Sequence, residues 1–140
     1  MASLPSGLRA TLIAATAVEV YAGAMLTLAP ARFIRSTYGV RGPVDAMALK
    51  FARCALRVLA LRRAAPAELV SRCCSTAGIA LACLGLLSGL CVAADEAPPA
   101  VVTTLLLYNV GACANNAVQS GGAVVALVHA ALAAGLYATA

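Results

Sequence analysis

From Cys73 to Ala94, and again from Ala97 to Ala140, the chain carries no Asp, Glu, Lys or Arg. A helix crosses a bilayer with about 20 consecutive apolar residues, so these two runs leave room for more than one crossing. Composition agrees. The 140 residues are 63% hydrophobic and 11% charged, with a mean hydropathy of +0.94, whereas soluble domains carry about 25% charged residues. So little polar surface points to lipid as the main solvent. Lipid offers no partner to backbone polar groups, and uninterrupted Ala- and Leu-rich runs lack the alternation of a barrel strand. The expected fold is all-α: an integral membrane protein with four transmembrane helices plus one amphipathic interfacial helix, in a single domain over residues 1–140.

The four spans are predicted at about 8–28, 73–93, 99–118 and 122–139. Pro30 closes the first, the acidic "ADEAPP" segment closes the second, and Pro98-Pro99 opens the third, where a missing N–H costs nothing. "QSGG", Gln119 to Gly122, is turn chemistry short enough for a helical hairpin. The first apolar run is too long for a signal-peptide core and is interrupted by Glu19, so it reads as a retained signal-anchor span. Residues 44–63 place Lys50, Arg53 and Arg57 on one helical face, opposite Phe51, Leu56, Val58 and Leu59. Such a helix lies in the membrane interface, or else forms a fifth, partly charged span packed on protein.

Nine of the ten basic residues lie between the first two spans: Arg32, Arg35, Arg41, Lys50, Arg53, Arg57, Arg62, Arg63 and Arg72. Basic connections stay on the side of insertion, which puts segment 31–72 on the stromal, matrix or cytoplasmic side. Lys50, Arg53, Arg57, Arg62, Arg63 and Arg72 are also candidates for contact with anionic lipid or an acidic partner subunit. Nucleic acid is not an expected partner, since no aromatic residues interleave the charges.

Intramembrane polar groups carry the functional candidates, because they face a bundle interior or a cofactor. Glu19 shares a face with Leu12, Ala15, Thr16, Ala22, Gly23 and Leu26. In the third span Thr104, Tyr108, Asn115 and Gln119 fall on one arc, with Asn109 and Asn116 beside it, a stripe suited to hydrogen bonds across helices. His129, the one histidine, sits mid-way along the last span and is a packing residue, a ligand to a chlorophyll magnesium or haem iron, or a proton relay with Glu19. Gly78, Gly85 and Gly89 form a ridge without side chains, the last two as a GxxxG element. The six cysteines form no CxxC pair and read as small hydrophobes. Neither GxSxG, HExxH, a P-loop nor a Rossmann glycine pattern occurs, so no enzymatic activity is expected.

Short Ala/Gly/Cys-rich spans, the basic connection at "PARFIRSTYGVRG" and minimal loops together resemble the small accessory subunits around photosynthetic and respiratory membrane complexes. The resemblance covers the whole chain as architecture and includes no residue motif. It implies a thylakoid or mitochondrial inner-membrane location. Neighbouring integral membrane subunits and membrane lipids would be its partners. In the photosystem case it implies chlorophyll or carotenoid contacts, with His129, Glu19, Asn115 and Gln119 as candidate ligands; in the respiratory case, structural lipid (cardiolipin) at Arg53, Arg57 and Arg62. The expected function is a non-catalytic scaffold. The alternative is a small homo-oligomeric transporter or channel working through Glu19 and the third-span stripe, and a membrane enzyme resting on Glu19 and His129 is a third class.

Overall fold

The computed structural model describes residues 3–39, 67–118 and 122–139. They form five helices and no strand: α1 (Ser6–Leu28), α2 (Pro30–Tyr38), α3 (Ala67–Ala94), α4 (Pro99–Ala117) and α5 (Ala123–Thr139). The segment 44–63, expected to be amphipathic, lies outside the described residues, as do Lys50, Arg53, Arg57, Arg62, Arg63 and Gln119. Arg72 falls on α3 itself, which begins at Ala67 rather than at residue 73.

Proline and left-handed residues set the helix boundaries. Ala29 leaves the helical region, with φ −145°, because the residue before Pro30 is kept out of it sterically. Pro30 then starts α2, which stops at Gly39 in the left-handed conformation (φ +64°). At the end of α3, Asp95 adopts φ +55°. The Glu96 N–H donates to the Cys91 carbonyl at 3.1 Å and the Asp95 N–H to the Val92 carbonyl at 3.2 Å, the bond pair of a Schellman motif. Asp is one of the few side chains that enters this region readily, and its carboxylate is used: it accepts the Leu4 N–H at 3.1 Å and an ion pair from Arg9. That clasp ties the start of α1 to the end of α3.

The four long helices run up and down, and α1 is the centre of the packing. Its longest contact is with α3, antiparallel, through missing side chains. A Cβ built on Gly23 would lie 2.5 Å from the Gly78 carbonyl and 2.6 Å from the Ala82 nitrogen; one on Gly85 would meet Val20 and Glu19, and one on Gly89 would meet Thr16. On its other side α1 meets α5, with Thr11 against Gly135, and α5 pairs along α4 as a hairpin. Leu8, Leu12, Cys91, Val102, Leu105 and Leu136 fill the end near Asp95 as an apolar core drawn from all four helices.

Large apolar side chains also cover the outside. Leu28 is 83% exposed, Tyr137 79% and Leu127 71%, with Ile79, Leu86, Leu90, Leu107 and Val124 exposed as well. Length and composition bear out two of the four expected spans. Among the described residues two helices are long and apolar enough to cross a membrane, Ser6–Leu28 and Thr76–Ala94. In α4 the amides of Asn109, Asn115 and Asn116 dilute the apolar run, and α5 has 17 residues. At 1.5 Å per residue α5 is about 25 Å long, short of the roughly 30 Å hydrocarbon layer.

Candidate functional site

Three helices bring polar side chains together at mid-height. Glu19 of α1 is 1% exposed, Asn109 of α4 fully enclosed and His129 of α5 7% exposed. The Tyr108 hydroxyl donates to Glu19 Oε2 at 3.1 Å. His129 Nδ1 lies 2.8 Å from Asn109 Oδ1 and 3.9 Å from Glu19 Oε1, and its ring stands edge-on to Tyr108, centroids 5.7 Å apart. Local chemistry fixes the hydrogen-bond roles. Asn109 Nδ2 donates to the Leu105 carbonyl one turn back at 2.8 Å, so its Oδ1 is the acceptor and His129 carries its proton on Nδ1.

Asn116, seven residues further along the same face, repeats the arrangement. Its Nδ2 donates to the Ala112 carbonyl at 2.8 Å, and its Oδ1 accepts the Tyr38 hydroxyl of α2 at 2.9 Å. Tyr38 and Ile34 are the buried face of α2, while Arg32 and Arg35 are exposed on the other. Burial pushes the Tyr38 phenol above its ordinary pKa. Several small polar groups are satisfied within their own helices: Thr16, Thr27, Ser88 and Thr104 each donate to the carbonyl four residues back.

Of the residues named from sequence as cofactor ligands, Glu19 and His129 come together. Asn115 does not join them, being exposed on another side of α4, as is Thr104. Gln119 is outside the described residues. Tyr108, Asn109 and Asn116, named from sequence as packing residues, are the ones that bond across helices. Gly78, Gly85 and Gly89 all face α1. Sequence reasoning passed over Tyr38 and Ser88. The Ile34–Tyr38 spacing of four, opposite two arginines, is the signal that marks α2 as a short amphipathic helix. Among the described residues no group of three or more His, Cys, Asp or Glu side chains is placed to hold a metal ion, and Cys83, Cys91 and Cys113 are free thiols.

No protein-family model, curated protein or solved structure matches this chain.

Proposed function

We propose that the protein is an integral membrane bundle whose four long helices all cross the bilayer, the α4–α5 hairpin packed on α1, and that it serves as a non-catalytic accessory subunit packed against other membrane proteins. One observation carries the reading: apolar side chains cover the outside while Glu19, Ser88, Asn109, Asn116 and His129 are buried inside. Water would reward the opposite arrangement; in lipid, polar groups belong within the bundle and helix faces are free to take neighbours. The basic connection, with Arg32 and Arg35 exposed on α2, marks the side of insertion and meets anionic headgroups there.

A transporter built on the same residues is the second reading, favoured by the Glu19–His129 contact. The exposure of Asn115 and Thr104 weighs for the first, because the arc they share with Tyr108 then lines no continuous path. Alkaline extraction followed by mild-detergent size separation, with visible absorption recorded, tests the proposal. Retention in the membrane and migration within a larger particle support it, and the spectrum tells a photosynthetic company from a haem-bearing one. Migration as a small colourless particle, or release by alkali, overturns it.

A further inference from the structure

Oε1 of Glu19 is the one buried side-chain oxygen or nitrogen among the described residues that has no hydrogen-bond partner. Its nearest basic atom is Nδ1 of His129 on a different helix, 3.9 Å away. That distance is too long for a hydrogen bond. An ionised carboxylate here would have the Tyr108 hydroxyl as its single donor, and a carboxylate buried with so little compensation is strongly disfavoured. A lone imidazolium beside Asn109 is disfavoured for the same reason. Two arrangements avoid an isolated charge: a neutral acid facing a neutral imidazole, or a carboxylate facing an imidazolium.

We propose that Glu19 and His129 form a buried proton-binding pair that holds one proton between them across the α1–α5 contact. In the first arrangement the proton is on Glu19 Oε1. In the second Glu19 is ionised and both ring nitrogens of His129 carry hydrogen; Oε1 faces Nδ1 rather than Nε2, so the two arrangements differ in where one proton is bound and are not linked by direct transfer. The imidazolium Nδ1–H stays on Asn109 Oδ1 at 2.8 Å, and the ring's charge faces Glu19 Oε1 at 3.9 Å. Net charge is zero in both, so neither leaves an isolated buried charge.

The groups facing the pair fit this reading. From α4 come Tyr108, which donates to Oε2, and Asn109, which orients the ring. From α3 the neighbour is Gly85, with no titratable side chain. Among the described residues Tyr38 of α2 interacts electrostatically with Tyr108. Among the described residues no Arg or Lys cation faces the pair, and His129 is the described group that can balance a Glu19 charge.

The test uses the purified full chain with Glu68 and Glu96 replaced by Gln, which leaves Glu19 as the single glutamate; His129 is already the single histidine. Carbon-13 in the Glu carboxyl distinguishes acid from carboxylate, and nitrogen-15 in the imidazole distinguishes neutral ring from imidazolium. Free side chains change state near pH 4.3 and 6.5. The pair should keep one proton from about pH 5 to 8. Acid with neutral ring, or carboxylate with imidazolium, supports the proposal; carboxylate with neutral ring, or acid with imidazolium, within that window overturns it. In His129→Gln the acid signal should persist throughout the window, and in Glu19→Gln the ring should stay neutral. A surviving group that takes up charge there overturns the proposal, and circular dichroism confirms that each variant remains helical. The readout is of the isolated bundle, so its failure leaves the accessory-subunit proposal untouched.

Discussion

The closest approach of α1 and α3 makes a quantitative prediction. A Cβ on Gly23 would sit 2.5 Å from the Gly78 carbonyl oxygen, about 0.9 Å short of the 3.4 Å at which ordinary contact begins. Both obstructing groups, the Gly78 carbonyl and the Ala82 nitrogen, are backbone and cannot rotate aside. In Gly23→Ala the two helices must therefore separate by most of an ångström where they are closest. A gap of 0.5–1 Å forfeits a quarter to a half of each dispersion contact it opens, and Gly85 against Val20 and Gly89 against Thr16 lie on the same seam. The expected loss is about 2–3 kcal/mol, toward the upper end of overpacking costs.

Gly111 supplies the control. It lies within α4, has nothing within 4 Å of its built Cβ, and is exposed. Gly111→Ala should gain about 0.5–1 kcal/mol from helix propensity alone. Gly89→Ala, whose Cβ would meet the Thr16 methyl at 3.3 Å, should fall near zero as propensity offsets a small adjustment. Denaturation in mild detergent, followed by far-ultraviolet circular dichroism, ranks the three variants. If Gly23→Ala and Gly111→Ala shift the midpoint in the same direction, α1 and α3 do not pack in this register and the reasoning is refuted.

Three further outcomes follow from the hydrogen bonds. Tyr38→Phe removes the donor to buried Asn116 Oδ1 and should cost about 1–3 kcal/mol; faster amide exchange confined to α2 would check it, and unchanged exchange would count against the α2–α4 contact. Asn109→Leu strands the His129 Nδ1–H and should cost a similar amount, about 1–3 kcal/mol, while the double variant Asn109→Leu with His129→Leu should cost less than the sum of the singles, because both partners go together. The Arg9–Asp95 ion pair joins half-exposed side chains, so Arg9→Gln should cost under about 1 kcal/mol, and that small effect should vanish at high salt; a salt-independent loss would contradict it.

How much of this was legible beforehand depended on whether the signal was about the chain or about its surroundings. Helices over α1, α3, α4 and α5 follow from apolar runs with few or no charges, and Pro30, Pro98 and Pro99 mark where they break. The short helix α2 was hidden inside what read as a basic connection, although the Ile34–Tyr38 spacing opposite Arg32 and Arg35 carries its signal. The side of α4 that turns inward was not legible either. An arc through Thr104, Tyr108, Asn115 and Gln119 and one through Val102, Leu105, Asn109 and Asn116 are equally good helical faces, and the second is the buried one. In a water-soluble helix the apolar face declares the interior; in lipid the exterior is as apolar as the core, so hydrophobicity does not separate them.

Spacing and donor accounting separate them instead. Asn109 and Asn116 are seven residues apart, two turns, so they stand nearly in line on one face. Each spends its Nδ2 on the carbonyl four residues back and keeps Oδ1 for another element, His129 of α5 in one case and Tyr38 of α2 in the other. Among the described residues an outward amide such as Asn115 meets no second helix on which to use that remaining acceptor. Two in-line amides with intrahelical donors therefore make α4 an acceptor ridge, which selects for O–H and N–H donors at matching heights on its neighbours. Glu19 cannot donate to that ridge as a carboxylate, and it is reached through Tyr108, one residue before Asn109. The same ridge that orients the His129 ring thus holds the acid and the imidazole within 3.9 Å, which is why the most polar point of the bundle lies where α1, α4 and α5 converge.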